Sequence, residues 1–306
     1  MSDNENKANA GVSERSMHDV FPPEFDCAFY RDNNSDLESF SDEQLVEHFE
    51  KHGRSEGRLA SSAASRVGFL RIIQRIVPAL EIGPFDRPAF ESQGAKFFDV
   101  LPTEELRNRA KELPGRDPNG VPIIDFVSST GDLSIIKEDF KLVFSSHVIE
   151  HQPDFIAHLE NVSTLLFKNG YYALIVPDCR YCFDHFLPPS NIANIIDAHL
   201  NGRRLHRLAS IIEHRALTTH NNAARHWRGD HSDDKPDLAK RVKKAIAEWQ
   251  DEGDQYIDVH AWQFTPQSFK VLLSVLHELS LVGLRPLRVY DTPFGSNEFC
   301  AVLTKD

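Results

Sequence analysis

Apolar positions along this chain change character near residue 78. Beyond it, continuously apolar runs of four to seven residues alternate with stretches of helical periodicity. The runs at 79–82, 96–100, 123–127, 142–145 and 171–176 predict short strands buried on both faces, the pattern of a parallel sheet. Between the last two runs the pattern predicts a helix. Pro153 stands near its first turn, Ile156, Leu159 and Leu166 form its inner stripe, and Asn169-Gly170 ends it. Strand, helix and strand at this spacing make a right-handed crossover unit. A helix near 266–279 precedes two further strands, 284–290 and 298–303, whose connection is short enough for a hairpin. The expected fold is α/β: a doubly wound, mostly parallel seven-stranded sheet ending in an antiparallel hairpin, with a small helical module in front.

The front of the chain reads differently. Residues 1–17 lack apolar periodicity and are expected to form a disordered tail. Residues 18–60 predict a small helical module. In it Ser41 starts a helix with Gln44 as capping-box partner, Leu45, Phe49 and His52 share a face, and Gly53 stops the helix. So small a unit has little core of its own and is expected to dock on the larger domain, 61–306, or on a partner. A helix over about 62–76, ended by Pro78, opens that domain.

Composition narrows the function classes. A net charge of -12 without a basic run of useful length argues against a nucleic-acid partner. No run of eighteen apolar residues predicts a membrane span. Four cysteines are too sparse for a disulfide framework, and the first twenty residues lack the apolar stretch of a secretory signal, so the expected compartment is the cytoplasm.

Ligands of an open α/β sheet bind beyond the carboxyl ends of its strands, near the point where strand order reverses. After the first strand comes Glu81-Ile82-Gly83-Pro84-Phe85, where glycine permits a tight turn and a close ligand approach. Asp99 ends the second strand, where a carboxylate can accept both hydroxyls of a ribose. Read singly, each has a plainer account: strand–glycine turns are common, Asp99 can cap a strand, and Glu150-His151 can orient the following helix.

Taken in order, these segments resemble class I S-adenosylmethionine-dependent methyltransferases. "LEIGPFDRP" is similar to the first motif of that family and "FFDVL" to its second. "VFSSHVIEHQPDFIAHLENVSTLLFKNGYYALIVPD" is similar to its fourth strand, following helix and fifth strand. The resemblance implies S-adenosyl-L-methionine as cofactor. Glu81, Gly83 and Pro84 would lie at its methionine end, Asp99 on its ribose, Asp132 beside its adenine, and His147 flanking it where the fourth strand ends. The first loop departs from the family in carrying Pro84 and Phe85 where many members have further glycines. No G-x-G-x-x-G follows the first strand, which argues against a nicotinamide dinucleotide.

The acceptor side is expected in a lid-like insertion at about 178–257. Six of the fifteen histidines fall between His185 and His226. Oxygen methylation benefits from a base near neutral pKa, which favours histidine. The candidate catalytic residues are His260, His185 and Asp184, chosen for their places after or near strand ends. His214, His220, His226, Asp230 and His231 offer metal-ligand atoms, but their spacing fits no zinc signature, so no metal is expected. Cys179-x-x-Cys182 lacks a second pair and reads as incidental. The close of the small module, "HFEKHGRSEGR", resembles a short module of bacterial glycan-modifying enzymes. That resemblance implies a sugar, glycan-precursor or other small acceptor, and a glycan-assembly protein as partner. The competing expectation is a methyltransferase-like binding module without catalysis.

Overall fold

The computed structural model describes residues 20–91, 93–232 and 237–306. The tail expected at 1–17 lies outside the described residues. Seven strands form one sheet: β1 (Ala79–Ile82), β2 (Ala95–Asp99), β3 (Phe126–Val127), β4 (Phe140–Ser146), β5 (Leu166–Pro177), β6 (Leu284–Val289) and β7 (Glu298–Lys305). Their order is β3-β2-β1-β4-β5-β7-β6. The pairs among β1 to β5 are parallel, whereas β7 runs antiparallel to both β5 and β6. The expected doubly wound sheet with a closing hairpin is the fold observed.

Alternation along the strands builds a core on each face, because successive side chains point to opposite sides. Leu80, Ile82, Phe98 and Val143 enter one core, under α5 (Phe155–Thr164) and α10 (Pro266–Glu278). Ala79, Phe97, Leu142 and Phe144 enter the other, under α3 (Arg66–Ile73) and α4 (Thr103–Glu112). Burying one such leucine or phenylalanine contributes roughly 1.5–3 kcal/mol, and a one-residue slip in register would send each set into the other core, where its shapes do not match.

Several boundaries differ from expectation, each for a local reason. Helix α5 starts after Pro153, with Asp154 as N-cap accepting from the Ala157 N–H at 2.9 Å. It ends at Thr164, and Asn169, at φ 58°, sits with Gly170 inside β5 instead of closing the helix. Strand β3 shrinks to two residues because Ile123 is exposed. Helix α4 went unpredicted: of its ten residues only Leu106 and Ala110 are buried, too thin a stripe to read.

In the front module, α1 (Cys27–Asp32) and α2 (Asp42–His48) enclose Tyr30, Leu37, Leu45, Phe49 and Ala60. Ser41 and Gln44 form the expected capping box. The helix then widens into a π turn, Phe49–Gly53, which carries His52 off the expected face into solvent. Gly53 lies where an added Cβ would fall 2.0 Å from the Tyr30 hydroxyl. The module packs on the β6–β7 edge: Arg54 pairs with Asp291 at 2.7 Å, Glu24 with Lys270 at 2.7 Å, and the Tyr290 hydroxyl donates to the Pro22 carbonyl at 2.8 Å. Between β5 and α10, the segment expected as an insertion holds α6 (Ile192–Leu200), α7 (Leu208–Ala216), α8 (Ala223–Trp227) and α9 (Leu238–Glu252).

Candidate functional site

Strand order reverses between β1 and β4, and the backbone is strained there. Gly83 follows β1 at φ 70°, and an added Cβ would fall 3.0 Å from Val148 in the β4 loop. Phe85 and His147, neither of them glycine, are also left-handed, at φ 44° and 55°. Such conformations cost of order 1–3 kcal/mol each and cluster at functional sites. One follows β1 and the other β4.

On the β1–β2 side, Asp99 is buried at the end of β2. Its Oδ1 accepts the Leu101 N–H at 3.2 Å, and burial raises its pKa. Glu81 is buried too, but both its oxygens accept the Ala89 N–H at 2.9 Å and Oε2 also takes that of Phe90 at 3.2 Å. Burial pushes its pKa up to about 7 despite those bonds. The sequence reading placed Glu81 on a ligand; here it anchors the segment that follows β1, and Pro84 is buried within that segment. Asp132 is exposed and caps the 3-10 turn Leu133–Ile135, accepting from the Ser134 N–H at 2.8 Å. That bond holds its pKa down.

On the β4 side, three imidazoles and four carboxylates converge. Nε2 of His147 meets Glu298 Oε2 at 2.8 Å, and its Nδ1 lies 3.5 Å from Glu150 Oε1. Glu298, at the start of β7, is clamped by Arg66 of α3 at 2.7 and 2.8 Å. Glu150 belongs to the 3-10 turn Ile149–His151 and is fully buried. Its backbone carbonyl takes the N–H groups of Ala261 at 2.8 Å and Trp262 at 3.2 Å, which brings in His260. Nδ1 of His260 bonds Asp184 Oδ2 at 2.6 Å, and its Nε2 faces Glu150 at 3.9 Å. Nδ1 of His151 lies 2.9 Å from Asp258 Oδ1, and its Nε2 lies 3.9 Å from Glu150 Oε1. Asp184 is placed by the loop after β5, whose buried Asp178 holds Arg180 and accepts from Thr292 at 2.6 Å.

The electrostatics follow from this packing. Burial disfavours charge on His147, but Glu150 and Glu298 outweigh it and bring its pKa up to about 9. Against burial, Arg66 and His147 bring Glu298 down to about 2. Glu150, also against burial, is held below the usual carboxylate range by His147, His151 and His260. Burial lowers His151, yet Asp258 and Glu150 raise it overall, and the same contact holds Asp258 at about 2. His214 accepts the His260 backbone N–H at 3.0 Å, and burial with the neighbouring His260 lowers it to about 3.

The structure thus brings Gly83, Asp99 and His147 to one edge of the sheet, and His260 together with Asp184. It separates His185, whose Nδ1 bonds the Arg180 carbonyl at 2.7 Å and whose ring stacks on His231 at 3.7 Å. Sequence reasoning left Glu150 and His151 as groups that orient the following helix, and missed Arg66 and Asp258 altogether. No local signal marked Arg66 or Asp258, because their partners lie on distant segments.

No family model matches the chain, and no curated protein matches it. Among solved structures it is similar to the CcbJ methyltransferase of Streptomyces caelestis, with 12% identity, a TM-score of 0.40, and coverage of 78% of this chain and 92% of that one. It is also similar to the trans-methyltransferase CalH, solved as a complex with SAH (12% identity, TM-score 0.37, 85% of this chain and 62% of that one). A third is the mitomycin 7-O-methyltransferase MmcR (12% identity, TM-score 0.37, 87% and 57%). The chain spans less than two thirds of the latter two. At such scores these likenesses carry no argument about activity, and the site must be read from its own residues.

Proposed function

We propose that the chain transfers a methyl group from S-adenosyl-L-methionine to a hydroxyl of a small-molecule acceptor. The observation that carries this reading is the meeting, at the β1–β4 reversal, of an open glycine turn and strand-end carboxylate with an imidazole–carboxylate cluster. The residues fit the cofactor in two respects. Gly83 keeps the crevice beside Val148 open where a side chain would fill it, and Asp99 Oδ1 has only a long bond to the adjacent loop. When bound, S-adenosylmethionine supplies an electrophilic methyl on a sulfonium. Asp99 would hold its ribose, and Gly83 with Pro84 would leave room for its methionine end. Asp132, further along the same edge, is assigned to the adenine side.

The acceptor meets the cluster opposite. Asp184 fixes which nitrogen of His260 bears hydrogen and leaves Nε2 facing Glu150 at 3.9 Å. The proton of the acceptor hydroxyl is lost at this cluster as the new C–O bond forms. Alignment of acceptor and methyl, with water excluded, supplies much of the rate. A sugar or glycan precursor is the preferred acceptor class, a preference that rests on the front module, which would also serve a glycan-assembly partner. Among the described residues no helix is long and apolar enough to cross a membrane, and the cysteines are free, which suits work in the cytoplasm.

The test is incubation with methyl-labelled S-adenosylmethionine and a panel of hydroxylated acceptors. Label should enter one acceptor class with the native chain and not with His260→Ala. Label absent from every acceptor, in a chain that binds the cofactor, would favour the non-catalytic binding module instead.

A further inference from the structure

Glu150 is fully buried, and neither of its carboxylate oxygens has a hydrogen-bond partner among the described residues. An ionised carboxylate buried without a hydrogen bond is costly even with cations nearby. Around one of its oxygens, Oε1, stand three imidazole nitrogens: His147 Nδ1 at 3.5 Å, His151 Nε2 at 3.9 Å and His260 Nε2 at 3.9 Å. These separations are too long for hydrogen bonds. They are near the spacing of neighbouring donors around a shared ion, since bonds of about 2.0–2.2 Å place tetrahedral ligands roughly 3.3–3.5 Å apart.

The far nitrogen of each ring gives the second argument. His147 Nε2 meets Glu298 at 2.8 Å, His151 Nδ1 meets Asp258 at 2.9 Å, and His260 Nδ1 meets Asp184 at 2.6 Å. A histidine that binds a metal almost always donates its other N–H to a carboxylate, carbonyl or water, which fixes the tautomer and aims the lone pair. Here His147 and His260 are bonded to carboxylates in this way, His151 Nδ1 stands 2.9 Å from Asp258 without hydrogen-bond geometry, and all three remaining nitrogens face one buried carboxylate. The His151 and His260 rings stand edge to face, 88° apart, so their in-plane lone pairs can converge. His147 and His151 are partly exposed, giving an entry path for an ion.

We infer that Glu150, His151 and His260 form a binding site for a divalent first-row transition ion such as Zn(II), with the ion's fourth position open and the His147 ring beside it. Imidazole and carboxylate donors suit such ions. This rests on the methyl-transfer reading and sharpens it: the ion takes the acceptor oxygen and lowers the pKa of its hydroxyl. The C–O bond then forms as the methyl–sulfur bond breaks, and the hydroxyl proton passes to solvent. Asp184, Asp258 and Glu298 act as positioning residues through the histidines. A second cluster, His185, His226 and His231, is the weaker candidate, because the His185 and His231 faces stack at 3.7 Å and 8° and their lone pairs run side by side.

The test uses the full chain, stripped of metal with a chelator and titrated with Zn(II) and with Co(II), whose visible absorption reports its ligands. One ion per chain is expected. The Co(II) bands should be lost in Glu150→Gln and His260→Ala and unchanged in His226→Ala. Affinity should fall about 10–100-fold in Asp184→Asn. Because the buried variants can lose their fold, His151→Ala, at a partly exposed site, is measured beside them and should weaken binding too. No ion bound, or binding lost only in His226→Ala, overturns the inference. Titration of the metal-free chain with S-adenosylhomocysteine separates the two claims. Binding there without any metal uptake sinks the metal site alone, whereas metal uptake without that binding sinks the methyl-transfer reading.

Discussion

Asp184 Oδ2 and His260 Nδ1 lie 2.6 Å apart although 76 residues separate them in the chain. Both are buried, and the contact joins the loop after β5 to the segment that precedes α10. Removing the carboxylate should therefore leave a buried imidazole N–H without a partner. Asp184→Ala is expected to lose about 1–3 kcal/mol of stability, read by urea unfolding, while S-adenosylhomocysteine binding stays within twofold. Equal loss of cofactor binding would mean that the pair supports the sheet edge as a whole.

Gly83 and Gly115 share a left-handed backbone but not surroundings: φ is 70° at one and 76° at the other, and an added Cβ meets Val148 at 3.0 Å only at Gly83. Alanine should cost about 1–2 kcal/mol at either position through backbone strain. Gly83→Ala should in addition weaken S-adenosylhomocysteine binding at least about tenfold, or 1.4 kcal/mol. Gly115→Ala should leave binding unchanged, and calorimetry on both variants decides it.

Glu81 gives a pH signature. Its pKa in the folded chain is near 7, raised by burial above the ordinary value of 4.5. The folded state therefore holds the proton longer than the unfolded one. Stability is unpenalised below about pH 4.5, falls as pH rises, and levels off above about 7, by at most about 3 kcal/mol. The depressed carboxylates Glu298 and Asp258 act in the opposite sense below pH 4.5, and the buried histidines His158 and His206, lowered to about 4, and His214, lowered to about 3, do so inside the window, so the Glu81 contribution is read as a difference between two chains. Measured by unfolding between pH 4.5 and 7, the stability of wild type relative to Glu81→Gln should fall with rising pH; a constant difference would contradict it.

In the front module, helix propensity and packing disagree at Gly53. Propensity alone favours alanine by about 0.5–1 kcal/mol, but the added carbon would sit 2.0 Å from the Tyr30 hydroxyl. Gly53→Ala is expected to destabilise by about 1–3 kcal/mol. Much of that should return in the double variant with Tyr30→Phe, and thermal unfolding measures the coupling.

The sheet was legible because its signals are local. Four buried residues at 79–82, the 171–176 run and the Ser41–Gln44 capping box each carry their meaning within a few positions. The places of Asp99 and Gly83 at strand ends were legible because a strand end is a place in the sequence as well as in the fold. Glu150 was not. It stands beside His151 where a helix cap is the ordinary reading, and its surroundings come from β7, the loop after β5 and the segment at 258–260. The place of His185 was hidden for the complementary reason: it is next to Asp184 in sequence, but its ring is bonded to the Arg180 carbonyl and faces the other histidines.

The central claim is that the crevice between β1 and β4 holds S-adenosylmethionine. Calorimetric titration of the native chain and of Asp99→Ala with S-adenosylmethionine and S-adenosylhomocysteine tests it most directly. Micromolar binding of both ligands by the native chain, weakened at least about tenfold, or 1.4 kcal/mol, in the variant, is the result expected. A well-folded native chain that binds neither, or a variant that binds as the native chain does, would contradict it.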